Sequence, residues 1–361
     1  VSTTAFAQDV LPLSQPVYDV PEPKALQSED ETPWLYEGSN VPVDREWLFG
    51  KMDNGLRYAV RRNGVPPNQV SIRVRIDAGS LHEEDNEQGY AHLLEHLLFR
   101  ESTHLGQAKA IAAWQRLGAT FGADTNAETS FTHTAYKLEI PDISPSKLDE
   151  SFKLLSGMIK GPVLNDANVA AELPIVLAEK RERGGAAERV GKLSRSIYFA
   201  GQRLVERDPI GTEETLTAAS GATVKAFYDR WYRPENTVIA VAGDADPKVL
   251  AGLVEEWFGD WQPTGPAGIA PDFGDPVAPE GAGMMPGIAA PLGEIAVVVE
   301  PDLSRRLTFV IARPWRKVQD TIVYNEGKII DDVAMMIVNR RIEQRARNGG
   351  AYVTGGVGNS P

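Results

Sequence analysis

Cysteine is absent from this 361-residue chain, so neither disulfides nor thiolate metal ligands are available to it. A tightly held metal ion would have to rest on histidine and carboxylate. Histidine is scarce too, with five in the whole chain. Positive charge is in deficit: 37 Lys and Arg face 50 Asp and Glu, a formal net charge of −13. That balance argues against nucleic acid and against an anionic membrane surface as partners. No apolar run approaches the roughly 20 residues that span a bilayer. A glycine-rich phosphate loop between strand and helix is also missing, so nucleotide binding has no support. Lack of cysteine is compatible with an oxidising compartment without requiring one.

The 42% of apolar residues is ordinary for a globular protein, so core formation is not in question. The length predicts more than one domain, at roughly 100–200 residues each. Near the start, Ala5-Phe6-Ala7 fits a small-x-small cleavage pattern, with Gln8 as the new terminus. Residues 1–7 therefore read as the end of a signal peptide, and the expected location is periplasmic or secreted. Residues 1–44, rich in Pro, Asp and Glu without a sustained period, read as an extended arm.

The most informative stretch is Gly89-Tyr90-Ala91-His92-Leu93-Leu94-Glu95-His96-Leu97-Leu98-Phe99. On a helix, His92 and His96 lie one turn apart and project from the same face. Two imidazoles so placed can reach one metal ion, and zinc accepts such ligands. Glu95 stands beside the second histidine, placed to take a proton from water at the metal. The remainder of the segment is apolar and should be buried, where two imidazoles and a carboxylate are costly without a task. His-x-x-x-His alone is more often a pair of core histidines. Here two of five histidines share one apolar face and Glu95 sits where the chemistry needs it. The order His-x-x-Glu-His is the inverted form of the common zinc-protease signature.

Alternating apolar and polar residues predict strands at 56–60 and 70–76. Helices are expected at about 88–99 and at 107–117, the latter stopped by Gly118. A strand is expected over 131–140, ended by Pro141. Helical spacing returns at 148–159, 168–183 and 224–232, and a short β run follows at 237–242. From 263 to 293 the chain is dense in Pro and Gly and reads as a linker between a domain at 45–262 and a second, incomplete one at 294–361. The latter should carry strands at 295–300 and 307–312, a long helix at 329–347 and a strand at 351–357.

Catalytic zinc wants three protein ligands and an open position. The helix expected at 168–183 offers Glu172, Glu179 and Glu182, of which Glu172 and Glu179 are two turns apart and face the same way. Glu182 belongs to the run Glu179-Lys180-Arg181-Glu182-Arg183, which has the look of a solvated face, and Pro174 should kink the helix or mark its first turns. Spacing leaves the choice of glutamate open.

With these residues in view, the chain resembles the pitrilysin/insulinase family of zinc metallopeptidases. The likeness rests on Ala78-Gly79-Ser80, on the run from Gly89 to Phe99, and on Gly122-x-x-x-Asn126-Ala127-x-Thr129. It continues through Tyr136, Glu172-x6-Glu179 and Tyr232-Arg233-Pro234-x-Asn236, and resumes between Arg341 and Tyr352. After Phe99 the chain reads Arg100-Glu101-Ser102, where relatives often carry a basic residue and Gly.

The resemblance implies an α+β fold: an α/β roll with a mixed, largely antiparallel sheet and flanking helices, followed by a truncated domain of the same type. It implies one zinc ion per chain, held by His92, His96 and Glu179, with Glu95 as general base and Glu172 as an outer carboxylate that orients a ligand imidazole. Asn126, Ala127 and Glu128 then match an edge strand on which a peptide substrate adds as one more strand. The implied activity is hydrolysis of internal bonds in short or unfolded peptides. Relatives complete the site with an Arg and a Tyr from a C-terminal half, so this chain is expected to need that half, or a partner subunit, and to cleave weakly alone. A non-catalytic peptide-binding or structural subunit is the rival reading, against which Glu95 speaks, since such a subunit has no use for it.

Overall fold

The computed structural model describes residues 39–359, apart from 108, 121, 276, 278–282, 285–290, 293–296, 302, 312–317 and 319. The expected signal end at 1–7, and the arm up to residue 38, lie outside them. Residues 44–314 form one compact unit, and the described residues of 1–43 and 315–361 fall in another.

The larger unit is built on a six-stranded sheet of β1 (Trp47–Lys51), β2 (Arg57–Arg62), β3 (Gln69–Ile76), β4 (Thr125–Thr129), β5 (Thr134–Pro141) and β6 (Thr237–Gly243), apart from a short two-stranded pairing of Gly283–Met284 with Pro291–Leu292. They lie side by side in the order β1-β2-β6-β3-β5-β4. Every pairing is antiparallel except β2 with β6. The mixed, largely antiparallel sheet that the resemblance implied is therefore present. Register places Val74 opposite both Tyr136 and Ile239, so the alternating apolar sets of the three central strands share a face. Val70, Ile72, Val74 and Ile76 on β3 are all essentially inaccessible.

Among the described residues, eight α-helices accompany the sheet: α1 (Tyr90–Leu98), α2 (Ala110–Arg116), α3 (Pro145–Lys160), α4 (Asp166–Glu182), α5 (Ala186–Tyr198), α6 (Glu213–Thr217), α7 (Gly221–Trp231) and α8 (Pro247–Phe258). α1 packs against β4 and β5, and α4 packs against α1. α4 is started by Asn165, whose side chain accepts the Asn168 N–H at 2.8 Å. It runs through Pro174 without a break, burying Glu172 and Val176 on its inner side.

Several expectations need correction. The strand expected from residue 131 starts at Thr134, because residues 130–133 fold into a tight turn in which Ser130 accepts the Thr132 and His133 N–H groups. Among the described residues, 297–300, 307–311 and 351–357 form no strand. Alternating apolar residues make a strand only when a neighbour completes the hydrogen-bond ladder, and Val297, Val299, Leu307 and Val353 are almost wholly exposed. In the second unit, α9 (Ile322–Arg347) starts seven residues before the expected helix at 329 and buries none of its residues.

Candidate metal centre

The centre begins with a buried carboxylate upstream of α1. Glu83 is fully inaccessible, and its two oxygens accept the Gly89 N–H at 3.0 Å and the Ala91 N–H at 2.8 Å. These are amides of the first turn of α1, which its own N-cap leaves without a side-chain acceptor, because that residue is Gly89 in the left-handed region at φ 94°. Burial pushes the Glu83 carboxyl up to about 8, against the two amides, which favour its charged form. Glu83 was not singled out in the sequence. An acidic residue six positions before a glycine-started helix is the signal that could have pointed to it.

On α1, His92 is buried and His96 partly so, and their rings meet edge to face at 4.8 Å between centroids. Glu179, on the last turn of α4, brings Oε2 to 3.5 Å from the Nε2 of both imidazoles. One ligand atom from each of the three residues lies within 4.8 Å of the others. The other Glu179 oxygen is engaged by Arg183. Glu182, the remaining carboxylate considered on this helix, is not part of the group.

Glu172 serves a different contact. Its Oε1 is 3.0 Å from His96 Nδ1, and its Oε2 accepts from Arg100 Nη1 at 2.7 Å. Burial pushes the Glu172 carboxyl up, but the bonds from His96 and Arg100 outweigh it and hold the group below its ordinary value. An ionised Glu172 can only accept, so His96 Nδ1 carries the proton and its Nε2 lone pair faces Glu179. For His96 itself burial lowers the pKa, yet the Glu172 bond and the charges of Glu95, Glu172 and Glu179 leave it raised. Burial, with the charges of His96 and Arg183, lowers His92 to about 3, so its ring is neutral.

Glu95 is also buried on α1, and its Oε2 accepts from Thr129 Oγ1 at 2.6 Å. Burial raises its carboxyl, with the Thr129 bond and His96 opposing. Thr129 is the last residue of β4, the outermost strand of the sheet, so that strand ends at Glu95. Asn126 and Glu128 on β4 are exposed, whereas Ala127 is half-buried against the core. Asn126 Oδ1 accepts the Ala127 N–H at 2.9 Å, holding one main-chain donor of the edge by a local bond. Behind the site, Tyr136 and Tyr232 join hydroxyls at 2.8 Å, and burial followed by each other's proximity keeps Tyr136 a neutral phenol.

The donor set fits zinc. Two imidazole nitrogens and a carboxylate oxygen are ligands it prefers, and ligands about 2.1 Å from one tetrahedral ion lie about 3.4 Å apart. The 3.5 Å separations here match that spacing and are long for hydrogen bonds. Three carboxylates crowd the two histidines, so a cation at their meeting point would be electrostatically favoured.

This fold and site define a class, and two family models match the chain. Residues 58–195 match the insulinase model, peptidase family M16, and residues 219–305 match the M16 inactive domain. The chain belongs to the insulinase (M16) family, as the inverted motif led one to expect. Among particular proteins, it is 36% identical over 222 residues to the probable zinc protease PqqL of Haemophilus influenzae, covering 62% of this chain and 24% of that protein. The probable zinc protease PqqL of Escherichia coli is 33% identical over 216 residues, covering 60% of the chain and 23% of that protein. The crystal structure of the first half of the periplasmic protease PqqL from Escherichia coli superposes with a TM-score of 0.60 at 32% identity, covering 63% of this chain and 48% of that one. The chain thus spans about a quarter of the length of the curated relatives it matches. Both curated relatives are named as probable zinc proteases.

Proposed function

We propose that this chain is the zinc-binding part of an endopeptidase that hydrolyses internal bonds of short or unfolded peptides. The observation that carries the reading is the meeting of His92, His96 and Glu179 around one point, with a buried Glu95 beside them. His92, His96 and Glu179 hold one zinc ion, and Glu172 orients His96. Zinc bound there supplies Lewis acidity, polarising the scissile carbonyl and acidifying water. Glu95, held through Oε2 by Thr129, keeps Oε1 to take a proton from water and pass it to the leaving amine. The burial that raises Glu95 suits a group that must accept and return a proton near neutrality.

The peptide lies along β4, where Asn126, Ala127 and Glu128 offer a free sheet edge that ends at Glu95. Main-chain bonds to that edge would hold a substrate with little regard for its side chains, and a peptide strand there replaces the bond from Asn126 to the Ala127 N–H. Residues 45–262 contain the whole six-stranded sheet and the site, which supports reading them as the peptidase domain, with 263–293 as a linker and 294–361 as the start of a second domain of the same type. Because the matched relatives are about four times the matched length, full turnover depends on a second half, in the same protein or on a partner subunit. A periplasmic setting is supported by the likeness to PqqL of Escherichia coli, a periplasmic protease. Among the described residues no helix is long and apolar enough to cross a membrane.

The test pairs elemental analysis with cleavage of an unstructured peptide by the chain combined with its second half. Glu95→Gln should keep one zinc and lose about 10²–10⁴-fold in turnover, the usual weight of a general base. Cleavage at the native rate would remove Glu95 from that role, and loss of the metal would make it a ligand instead.

A further inference from the structure

Arg100 stands four residues beyond His96, just past the end of α1, and nothing in the proposed chemistry uses it. We infer that Arg100 is a positioning residue of the metal centre: acting through Glu172, it fixes His96 with Nδ1 protonated and Nε2 open toward Glu179. The inference rests on the zinc-site reading above. Its geometry is a relay of two bonds, Arg100 Nη1 to Glu172 Oε2 at 2.7 Å and His96 Nδ1 to Glu172 Oε1 at 3.0 Å. Both oxygens of the carboxylate are therefore pinned, and it cannot turn away from the imidazole without breaking the arginine bond.

The setting strengthens both bonds. The Glu172 side chain is 9% exposed and that of Arg100 20%, so the pair is largely withdrawn from water, where a charge-assisted hydrogen bond is at its strongest. Arg100 is not placed to satisfy itself: its Nε is buried with no hydrogen-bond partner among the described residues. A guanidinium kept for stability alone would be expected to use its buried donors. This one leaves a donor unmet and delivers a single bond to the carboxylate that holds the ligand histidine. Arg100 lies just past the end of α1, and its guanidinium, a donor with no lone pair to offer, is not itself a metal ligand. Partners behind ligand residues typically govern metal affinity by 10–100-fold, through ring orientation and tautomer.

The test is zinc affinity of the 361-residue chain, measured by competition with a chromophoric chelator. Arg100→Met should bind about 10–100-fold more weakly than the wild type, with its thermal unfolding still cooperative. Glu172→Gln should weaken binding by a similar factor, and adding Arg100→Met to Glu172→Gln should cost nothing further, because the arginine acts only through that carboxylate. Arg100→Gln serves the same cycle should the methionine variant fail to fold. Nitrogen NMR of the His96 ring gives a second readout: one Nδ1–H tautomer in the wild type, a mixture in the arginine variants. Wild-type affinity in a folded Arg100 variant, or a loss that adds in full to that of Glu172→Gln, would overturn the relay. A wild-type chain that takes up no zinc would instead remove the metal site itself.

Discussion

His96 answers to two partners at once, and the protein reconciles them by giving each ring nitrogen one duty. Glu172 accepts the hydrogen bond from Nδ1 at 3.0 Å, and Nε2 is left facing Glu179 at 3.5 Å. With three carboxylates close by, the metal-free ring gains a second proton more readily than an ordinary histidine, although burial works against it. A doubly protonated ring is no ligand, so zinc must displace that proton. The sign follows: affinity should be highest where His96 is neutral and fall as pH drops through its raised pKa. Titrations at pH 8 and pH 6 should show weaker binding at the lower value, with protons released on uptake in the acidic buffer. Equal affinity at the two values would mean that His96 is not a ligand. His92 was legible as its partner from helical spacing alone, whereas the choice between Glu172 and Glu179 was not. It depends on how α4 is rotated against α1, and an interhelical packing angle leaves no mark in either helix's spacing.

At the scale of the element, α1 is nine residues long and opens on a glycine that supplies no side-chain cap. So short a helix is marginal by itself and depends on its surroundings. Glu83 provides the missing acceptor for two of its first amides from outside the helix. At a pH above its raised pKa of about 8, where both carboxylate oxygens accept, Glu83→Gln would present an NH₂ to one of those N–H groups, donor against donor, in a fully buried place. The expected cost is about 1–3 kcal/mol, read as a lower urea midpoint with unchanged slope; an unaltered midpoint would show that the carboxylate does not cap the helix. Elsewhere the element signals were uneven. The helix at α8 follows Asp246-Pro247, an N-cap residue and a proline at the first helical position, and that signal was in plain view though not taken up. α5 gave less notice, for it opens on Gly185 without a side-chain cap and carries Gly191 in its middle; Val190, Leu193 and Ile197 share one face at helical spacing, yet the helix buries none of them.

For the whole larger unit, the sheet was legible where its strands alternate, as in β3 and β6, because one face is buried and the other is not. β1 escaped notice: it is an edge strand with no fully buried residue, and its pairing with β2 defines it more than its composition does. The same logic in reverse explains the strands expected at 295–300, 307–312 and 351–357, where apolar character is present and, among the described residues, a pairing partner is not. A six-stranded sheet with β4 at its rim then carries the Glu95 contact to the place where a peptide could join, and α1 with α4 brings the three donors together. The account as a whole stands on that convergence. Diffraction from crystals of this chain grown with zinc, recorded on both sides of the zinc absorption edge, tests it most directly. The predicted result is one anomalous peak about 2.0–2.2 Å from His92 Nε2, His96 Nε2 and a Glu179 oxygen. A peak bound by other residues, or no peak at these three with zinc in excess, would contradict it.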